Sequence, residues 1–574
     1  MAQNSIALQK TDVLIIGAGM SGIGFAVQLL RQFGTRSFKL IEKSDNLGGT
    51  WWVNSYPGCG CDVPSHFFSY SFALNPNWTQ KFALQSEIHE YFLDVAAQYE
   101  IHKHVQFASL VERASWDEAS GTWSVTIRDL QSSAITEHHC KILISAVGAL
   151  SVPRKCSIPG ASSFRGKIFH TAQWDHTFNW KGKELVVVGN GCSATQIIPE
   201  ICSGPGAAKM ITQFSRQSHW LAERPNPKYS TLFKWTMKWI PLAMRIYRAK
   251  LYWDKEKDFK GFDIETGAEI RNGWSKEAGD YIRANAPAKY RDFLVPKTEI
   301  GCKRRVNDTN YLSSLHQGNV NLIYDDPIDE IIATGVRTQS GKIIAAEAIV
   351  LANGFETQKP FGSLEIFGEK GASIQDHWNL VSEGMPSSYL GTCLSGFPNF
   401  FMLMGPNTLS GHLSVIYTTE CQINFIIRIL RPILSAIRTE LPWLAVKRPD
   451  RDVVTIKPSA ETQDIESVQE KAKRLVWATG CTSWFIDENT KRNTIMFPDW
   501  QYKFWLRSIF VCWDDFAYRT STTFRKEAEG APMRKITSVF AAFGVIIGIG
   551  AYLYSELIVS HSERATQLLK SWLV

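Results

Sequence analysis

The sequence predicts an α/β fold with two Rossmann-like dinucleotide-binding domains, a helical insertion and a C-terminal transmembrane helix. Two glycine-rich segments, each between an apolar strand-like run and a helix-like run, predict the two domains. A basic, aromatic segment interrupts the second domain, and a long uncharged run lies near the C-terminus. The predicted boundaries are 8–180 for the first part of the first domain, 181–335 for the second domain with its insertion at about 221–296, 336–530 for the return to the first domain and substrate-pocket segments, 536–555 for the transmembrane helix, and 556–574 for a short tail.

Composition favours a globular chain of several domains. At roughly 150 residues per domain, 574 residues correspond to three or four domains. The hydrophobic content of 44% and charged content of 20% exclude long disorder. The net charge of +7 is small for this length, so nucleic acid is not an expected partner. The 11 scattered cysteines, with no signal peptide ahead of the first strand, favour reduced thiols over a disulfide scaffold.

The first nucleotide unit begins with the segment TDVLIIGAGMSG, in which an apolar strand runs into Gly17, Gly19 and Gly22. Glycine permits a tight turn and the close approach of a pyrophosphate to a helix N-terminus. A second strand, SFKLIEK, places Glu42 twenty residues after the last glycine, where an acid accepts a hydrogen bond from a ribose hydroxyl. This unit suits FAD.

The second unit, ELVVVGNGCSATQIIP, has Gly189, Gly191 and Ala194 at the same spacing. The next strand, MITQFSR, ends in Arg216, and a guanidinium pairs with a 2′-phosphate that an acid would repel. NADPH is therefore favoured over NADH, although a solvated strand-end arginine is an alternative for Arg216. The predicted NADPH site also includes Asn190, Cys192, Ser193 and Gln196. The runs KILISAVGA and AEAIVLANGF are predicted to close the two sheets.

The segment LFKWTMKWIPLAMRIYRAKLYW, within 221–296, has two interpretations. One is a helical subdomain over the active site. The other is a face that lies on a membrane surface and supports a C-terminal anchor.

The run from Ile536 to Tyr554 carries no charge. Its 19 residues would span about 28 Å as a helix, close to the hydrocarbon core of a bilayer. Lysine and arginine are more frequent before the run than after it, so the large N-terminal part is expected to face the cytosol in a single-pass topology. Gly544 and Gly548 form a GxxxG pattern that suggests a homodimer. The alternative is a buried C-terminal core helix.

A flavin with NADPH fits both disulfide reductases and monooxygenases. A reductase needs a redox cysteine pair, but Cys59 and Cys61 are separated by one residue, which is too tight for an easy disulfide. We therefore interpret both as packing residues, and the reductase hypothesis is weak.

Further motifs make the chemistry specific. FRGKIFHTAQWD resembles FxGxxxHxxxW followed by Pro or Asp, the fingerprint of Baeyer–Villiger monooxygenases, and comprises Phe164, Gly166, His170, Trp174 and Asp175. The segment from Gly48 to Asp62 is similar to that family's GGxWxxxxYPGxxxD motif. GCKRRVNDTNY is similar to its catalytic-arginine segment, and NFFMLMGPNTLSGH resembles its flavin-closing segment. The resemblance covers about Thr11 to Glu420.

The resemblance implies an FAD-containing enzyme that uses NADPH and O2 to convert a ketone to an ester or lactone. Arg304 is implied as the fixed cation that stabilises anionic oxygen, and Asp62 as the carboxylate that orients it. A structural ion pair is the alternative. The remaining residues assigned to cofactor binding are Gly49, Thr50, Trp51, Phe68, Val111 and Lys303.

His170 and Trp174 favour a conformational role in a linker over acid–base catalysis. Trp477 and the segment GCTSWF resemble a branch of the family in which this region lines the substrate pocket; a plain core strand is the alternative. The expected substrate is a hydrophobic ketone of secondary metabolism, and no metal is predicted. The alternatives are an N- or S-oxygenating relative and a flavin-binding redox sensor without turnover.

Overall fold

The computed structural model describes residues 8–434, 451–480, 483–487 and 489–521. Its strands, in chain order, are β1 Leu8–Ile16, β2 Phe38–Ile41, β3 Val105–Gln106, β4 Ser109–Asp117, β5 Thr122–Asp129, β6 Ile135–Ser145, β7 Lys167–His170, β8 Glu184–Val188, β9 Met210–Phe214, β10 Leu221–Ala222, β11 Val306–Asn307, β12 Val320–Ile323, β13 Ile328–Ile332, β14 Gly335–Thr338, β15 Ile343–Ala345, β16 Ala348–Leu351, β17 Glu365–Phe367, β18 Phe400–Met402, β19 Val453–Ile456 and β20 Phe516–Arg519.

The α-helices of the same residues are α1 Met20–Phe33, α2 Thr50–Val53, α3 Gln85–Gln98, α4 Cys192–Ile201, α5 Thr231–Trp239, α6 Ala243–Glu256, α7 Ala268–Asn285, α8 Arg291–Leu294, α9 Tyr311–Ser314, α10 Ile374–Ser382, α11 Val415–Leu430, α12 Pro458–Ala472 and α13 Gln501–Ile509.

The first sheet has the order β17-β4-β5-β6-β1-β2-β3, and β18 also pairs with β6. Strand β1 lies between β2 and β6 and pairs in parallel with both. It therefore has a hydrogen-bonded neighbour on each side, as expected of an apolar strand inside a sheet. Helix α1 begins after Gly19 and ends at Gly34, whose left-handed φ of 62° is typical of a helix C-cap. The predicted first Rossmann-like unit and its closing strand, β6, are confirmed.

The second sheet is parallel throughout, in the order β12-β9-β8-β16-β7. It contains the predicted closing strand, β16, next to β8. It also takes in β7, because Lys167–His170 pairs along β16 with Leu351 opposite His170. The second sheet therefore takes in strands from both sides of 181–335, since β7 precedes residue 181 and β16 follows residue 335.

The insertion between β10 and β11 is helical, with α5 to α8 over residues 231–294. Parallel pairing of β10 with β11 brings its two ends together, with Leu221 opposite Val306. The insertion thus leaves and rejoins the second domain at one place.

The predicted membrane span and the predicted reduced thiols have different outcomes. Within the described part of the chain, no helix is both long and apolar enough to cross a membrane, and the predicted span at 536–555 lies outside that part. Cys302 is disulfide-bonded, so the prediction of reduced thiols is wrong at this position. Cysteine spacing does not reveal pairs that only the tertiary fold brings together. Cys59 and Cys61 are free and buried, as expected of packing residues.

Candidate active site

The first glycine turn joins β1 to α1 and leaves no room for side chains. Gly17 has φ +104°, and a Cβ there would lie 2.6 Å from the carbonyl oxygen of Ala146. A Cβ on Gly22 would lie 2.0 Å from the carbonyl oxygen of Gly17. Both positions require glycine, and the turn presents backbone N–H groups at the start of a helix, which fits a dinucleotide pyrophosphate.

Glu42 is buried beside this turn, immediately after β2. Its Oε2 accepts a hydrogen bond from the backbone N–H of Ala18 at 2.7 Å, and its Oε1 accepts one from Ser44 at 2.8 Å. A carboxylate has further lone pairs, so these bonds fix its position while leaving acceptor capacity for a ribose hydroxyl. The placement fits the predicted role.

The second motif packs directly on the first turn. The backbone N–H of Gly48 donates to the carbonyl of Ala18 at 3.0 Å. Gly49 has φ +54°, and a Cβ there would lie 2.8 Å from the Cα of Gly19. Thr50 and Trp51 then begin α2. The ring of Trp51 meets that of Phe68 edge-on, with centroids 5.4 Å apart.

Val111 is buried on β4, in the core cluster that includes residues of β1 and β2. The start of β4 is hydrogen-bonded to Glu42, because the backbone N–H of Ser109 donates to the backbone carbonyl of Glu42 at 2.9 Å. Val111 therefore supports the sheet from its core.

The second turn repeats the first in one respect and differs in another. Gly189 has φ +119°, and a Cβ there would lie 2.3 Å from the carbonyl oxygen of Ala352. Gly191 has an ordinary φ of −74°, and a Cβ there would point into open space. The protein's own packing therefore does not require glycine at position 191. Glycine at position 191 instead allows a phosphate to come close to the start of α4.

The helix start and the strand end around this space carry the other predicted residues. Cys192, Ser193 and Ala194 form the first turn of α4, and the exposed Arg216 follows β9 by two residues. Asn190 Nδ2 donates to the backbone oxygen of Gln217 at 2.6 Å. This geometry leaves Arg216 accessible to a phosphate.

Gln196, predicted to belong to the NADPH site, is bonded at both ends of its side-chain amide. Its Oε1 accepts a hydrogen bond from the hydroxyl of Tyr56 at 2.9 Å, and its Nε2 donates to the carbonyl of Gly60 at 3.1 Å. Both ends of the buried amide therefore join α4 to the YPG segment. Gln196 holds the two nucleotide units together.

Arg304 and Asp62 form an ion pair across 242 residues of sequence. Arg304 Nη2 donates to Oδ1 and Oδ2 of Asp62 at 2.9 and 2.7 Å. The two side chains are 32% and 26% exposed and line the same cavity. The carboxylate of Asp62 raises the pKa of Arg304 above its ordinary value, so the cation is permanent.

Arg224 is a second guanidinium on the same cavity, and sequence reasoning missed it. Its Nη2 donates to the carbonyl of Cys61 at 2.8 Å, next to Asp62, and its guanidinium lies 4.8 Å from the centre of the Phe82 ring. Burial lowers the pKa of Arg224, while the charge of Asp62 opposes that shift. An isolated arginine in a loop carries no pattern by which it could have been found.

Lys303 connects the segment that carries the Arg304–Asp62 ion pair to the second glycine turn. Its Nζ donates to the side-chain oxygen of Gln217, the residue whose backbone accepts from Asn190. Burial lowers the pKa of Lys303 below its ordinary value. The neighbouring residues Lys303 and Arg304 thus contact different parts of the site. Lys303 bonds to Gln217 beside the second nucleotide unit, and Arg304 bonds to Asp62.

The cavity beside these residues has a volume of about 310 Å³. Its wall combines apolar and charged side chains. The large apolar ones are Leu251, Phe262, Trp274, Leu413, Trp477, Phe485 and Met496, and the charged ones besides Asp62, Arg224, Lys303 and Arg304 are Lys81, Glu223, Asp254, Lys255, Asp258 and Arg305. The predicted pocket segment therefore contributes both Trp477 and Phe485 to the wall. Pockets of about this size and character hold small organic ligands.

His412, at the end of the flavin-closing segment, lies on the cavity wall and pairs with Glu256 at the end of α6. Their Nε2 and Oε2 are 3.2 Å apart, and both side chains are buried. Glu256 Oε1 also accepts from the N–H of Tyr502 at 3.1 Å. Sequence reasoning missed Glu256 because its partners come from distant segments.

The FxGxxxHxxxWD segment forms the edge of the second sheet. His170 Nδ1 accepts from the N–H of Ala172 at 3.0 Å, so Nε2 is the protonated nitrogen and donates to the carbonyl of Gly354 at 3.1 Å. With both nitrogens engaged and burial lowering its pKa, His170 is not placed for acid–base catalysis.

The other members of the segment pack around the same strand. A Cβ on Gly166 would lie 2.4 Å from the carbonyl oxygen of Glu347 and 2.7 Å from the ring of Phe164. Trp174 meets Phe169 edge-on at 5.1 Å, and Asp175 pairs with Lys167. These contacts fix the segment as an edge strand and its following turn.

Comparisons with known proteins agree with this architecture. The flavin-binding monooxygenase-like family model matches residues 10–237. A Baeyer–Villiger monooxygenase of Pseudomonas aeruginosa is 33% identical over 536 residues, covering 92% of this chain and 96% of that protein. One from Streptomyces coelicolor is 32% identical, covering 87% and 91%.

Solved structures show the same fold. The closed crystal structure of cyclohexanone monooxygenase matches with a TM-score of 0.76 at 22% identity, covering 90% of this chain and all of that one. An oxidised steroid monooxygenase bound to NADP matches with a TM-score of 0.73 at 23% identity, covering 89% and 100%. Identity to the bacterial enzymes over nearly the whole length decides the family: the chain belongs to the Baeyer–Villiger monooxygenases.

Proposed function

We propose that this Baeyer–Villiger monooxygenase converts a hydrophobic ketone to an ester or lactone, with Arg304, held by Asp62, as the cation that makes the insertion possible. The FAD site is the turn from Gly17 to Gly22 with Glu42. The NADPH site is the turn from Gly189 to Ala194 with Arg216. When bound, the flavin, reduced by NADPH, supplies the activated oxygen.

The ion pair on the cavity wall carries the proposal. A guanidinium cannot lose its proton in the working range of an enzyme, so it offers a constant positive charge to an anionic oxygen. Asp62 keeps the guanidinium in one orientation and offsets the cost of its partial burial. The attraction between Arg304 and an anion strengthens as water is excluded from the cavity.

The cavity wall indicates the substrate class. Phe262, Trp274 and Trp477 line a space of about 310 Å³, and charged side chains, among them Asp62 and Arg304, line it as well. Apolar walls favour an apolar substrate body and exclude water that would compete for the oxygen. A ketone offers one polar atom for the cationic region and leaves the rest for the wall.

A ketone panel tests this function. Purified enzyme with FAD, NADPH and O2 is incubated with cyclic and acyclic hydrophobic ketones, and products are identified by mass spectrometry. The expected result is ketone-dependent NADPH consumption and a product that has gained one oxygen atom as an ester or lactone. NADPH consumption that no ketone stimulates, or oxygen transfer only to amines and thioethers, would contradict it.

We further propose that the uncharged run from Ile536 to Tyr554 anchors the enzyme in a membrane with the catalytic part in the cytosol, and that Gly544 and Gly548 pair two copies. The support is the length of the run and the excess of basic residues before it. The full chain should stay with membranes after an alkaline wash, whereas a chain truncated before Met533 should be released and active. If the truncated chain unfolds, the run is part of the core and the anchor is wrong.

A further inference from the structure

Large exposed apolar side chains are concentrated on the helical insertion. Seven lie on α5, α6 and the turn between them, each between 45% and 71% exposed: Leu232, Trp235, Trp239, Ile240, Leu242, Ile246 and Trp253. We call this set the insertion face. Scattered single apolar residues are normal on a protein surface, but seven large ones within 22 positions, three of them tryptophan, indicate an interaction site.

The insertion face follows helical periodicity. Leu232, Trp235 and Trp239 are spaced i, i+3 and i+7 on α5, and Ile246 and Trp253 are seven positions apart on α6, so each set lies along one side of its helix. The side that each helix turns to the protein is already occupied by other residues. Phe233 stacks on Tyr229 with ring centroids 4.4 Å apart, and Leu251 is 8% exposed. The face is thus a second apolar side, in addition to the one that folding uses.

The charges around the face are mostly positive. Residues 231–256 contain six lysines and arginines against two carboxylates. One of the two, Glu256, is buried against His412, and the other, Asp254, is paired with Lys250 at 2.5 Å. Lys234, Lys238 and Arg245 remain next to the apolar side chains. The surface therefore combines exposed tryptophan and aliphatic side chains with a local excess of positive charge.

We propose that the insertion face binds the surface of an anionic phospholipid membrane, with α5 and α6 lying in the interface. Tryptophan is favoured at the level of lipid headgroups, aliphatic side chains enter the acyl boundary, and lysine and arginine pair with anionic headgroups. Helix α6 also supplies Leu251, Asp254 and Lys255 to the wall of the cavity. A bound membrane therefore contacts the element that forms part of that wall.

Amide hydrogen exchange of the full chain tests the proposal without depending on the C-terminal run. Exchange is followed with and without vesicles of phosphatidylcholine and phosphatidylserine. We expect vesicles to slow exchange across 231–256, less so with pure phosphatidylcholine and at high salt. In Trp239→Glu the slowing should be lost at this segment. The control Leu380→Glu, which changes a side chain that is 84% exposed outside the face, should keep it.

NADPH oxidation by both variants shows that they are folded, since neither residue contacts the described cavity. Unchanged exchange at 231–256 while the chain is bound to vesicles overturns the proposal, and so does a full chain that does not bind vesicles. Exchange at 231–256 that is slower in the full chain than in the chain truncated before Met533, both without vesicles, identifies the C-terminal part of the chain as the occupant. Slowing that depends only on protein concentration identifies a second copy. Either result also overturns the proposal.

Discussion

Replacing Asp62 with asparagine removes the charge that holds Arg304 while keeping the shape of the side chain. A hydrogen bond between charged groups contributes about 1.5–3 kcal/mol. Both bonds come from one nitrogen, Nη2, so we count them as one interaction. The two side chains are 26% and 32% exposed, and water replaces part of what is lost. We therefore expect a loss of about 1.5–2 kcal/mol, or about 10- to 30-fold in kcat/KM for ester formation.

The assay measures ester formed and NADPH consumed in the same reaction. Asp62→Asn should form less ester per NADPH, while reduction of the flavin by NADPH without ketone stays within about twofold, because the change acts on the cation during oxygen transfer. Asp258→Asn is the matched control. Asp258 also lines the cavity and has a similar exposure of 29%, but it pairs with Lys255. Normal ester yield in Asp62→Asn, or an equal loss in the control, would refute the reasoning.

Three further changes test other parts of the site and fold. Arg216→Ala should raise the KM for NADPH about tenfold or more and leave NADH unaffected, since it loses a charged hydrogen bond; Lys209→Ala, at the other end of the same strand, is the control, and equal loss with both nucleotides would contradict the phosphate contact. Gly191→Ala should fold with a change of at most about 1 kcal/mol in unfolding free energy but bind NADPH weakly, whereas Gly189→Ala, with φ +119°, should not fold normally; unchanged NADPH affinity in Gly191→Ala would be inconsistent with a nucleotide at this turn. Burial lowers the pKa of His138 from 6.5 to about 4, so the contribution of the neutral ring to stability is present above pH 6.5 and is lost as pH falls towards 4. In His138→Gln the drop in unfolding free energy between pH 7 and 5 should be smaller by about 1–2 kcal/mol than in the parent. An identical drop in the two proteins would show that another group titrates.

The parts of the fold that depend on local pattern could be predicted. Each Rossmann-like unit depends on an apolar strand, glycines at fixed spacing and a following helix, all within about 20 residues. Gly17, Gly22 and Gly189 occupy the conformations or close contacts that the pattern implies. The place of β7 in the second sheet could not be predicted, because it depends on pairing with β16, a strand that lies far later in the chain.

The site divides in the same way. The pair Arg304–Asp62 was predicted because each residue sits in a segment that resembles a family motif, although 242 positions separate them. Arg224 and Glu256 were missed because their importance comes only from tertiary contacts, with Cys61 in one case and His412 in the other. Gln196 was predicted to belong to the NADPH site. The hydrogen bonds of its side-chain amide to Tyr56 and Gly60 could not be predicted from a turn motif.

The most direct measurement is the product of Arg304→Ala supplied with FAD, NADPH, O2 and a ketone that the parent enzyme converts. The variant should bind flavin, be reduced by NADPH and form no ester, because the cavity then lacks the cation that Asp62 orients. Ester formation at the parent yield would contradict the central role of this guanidinium.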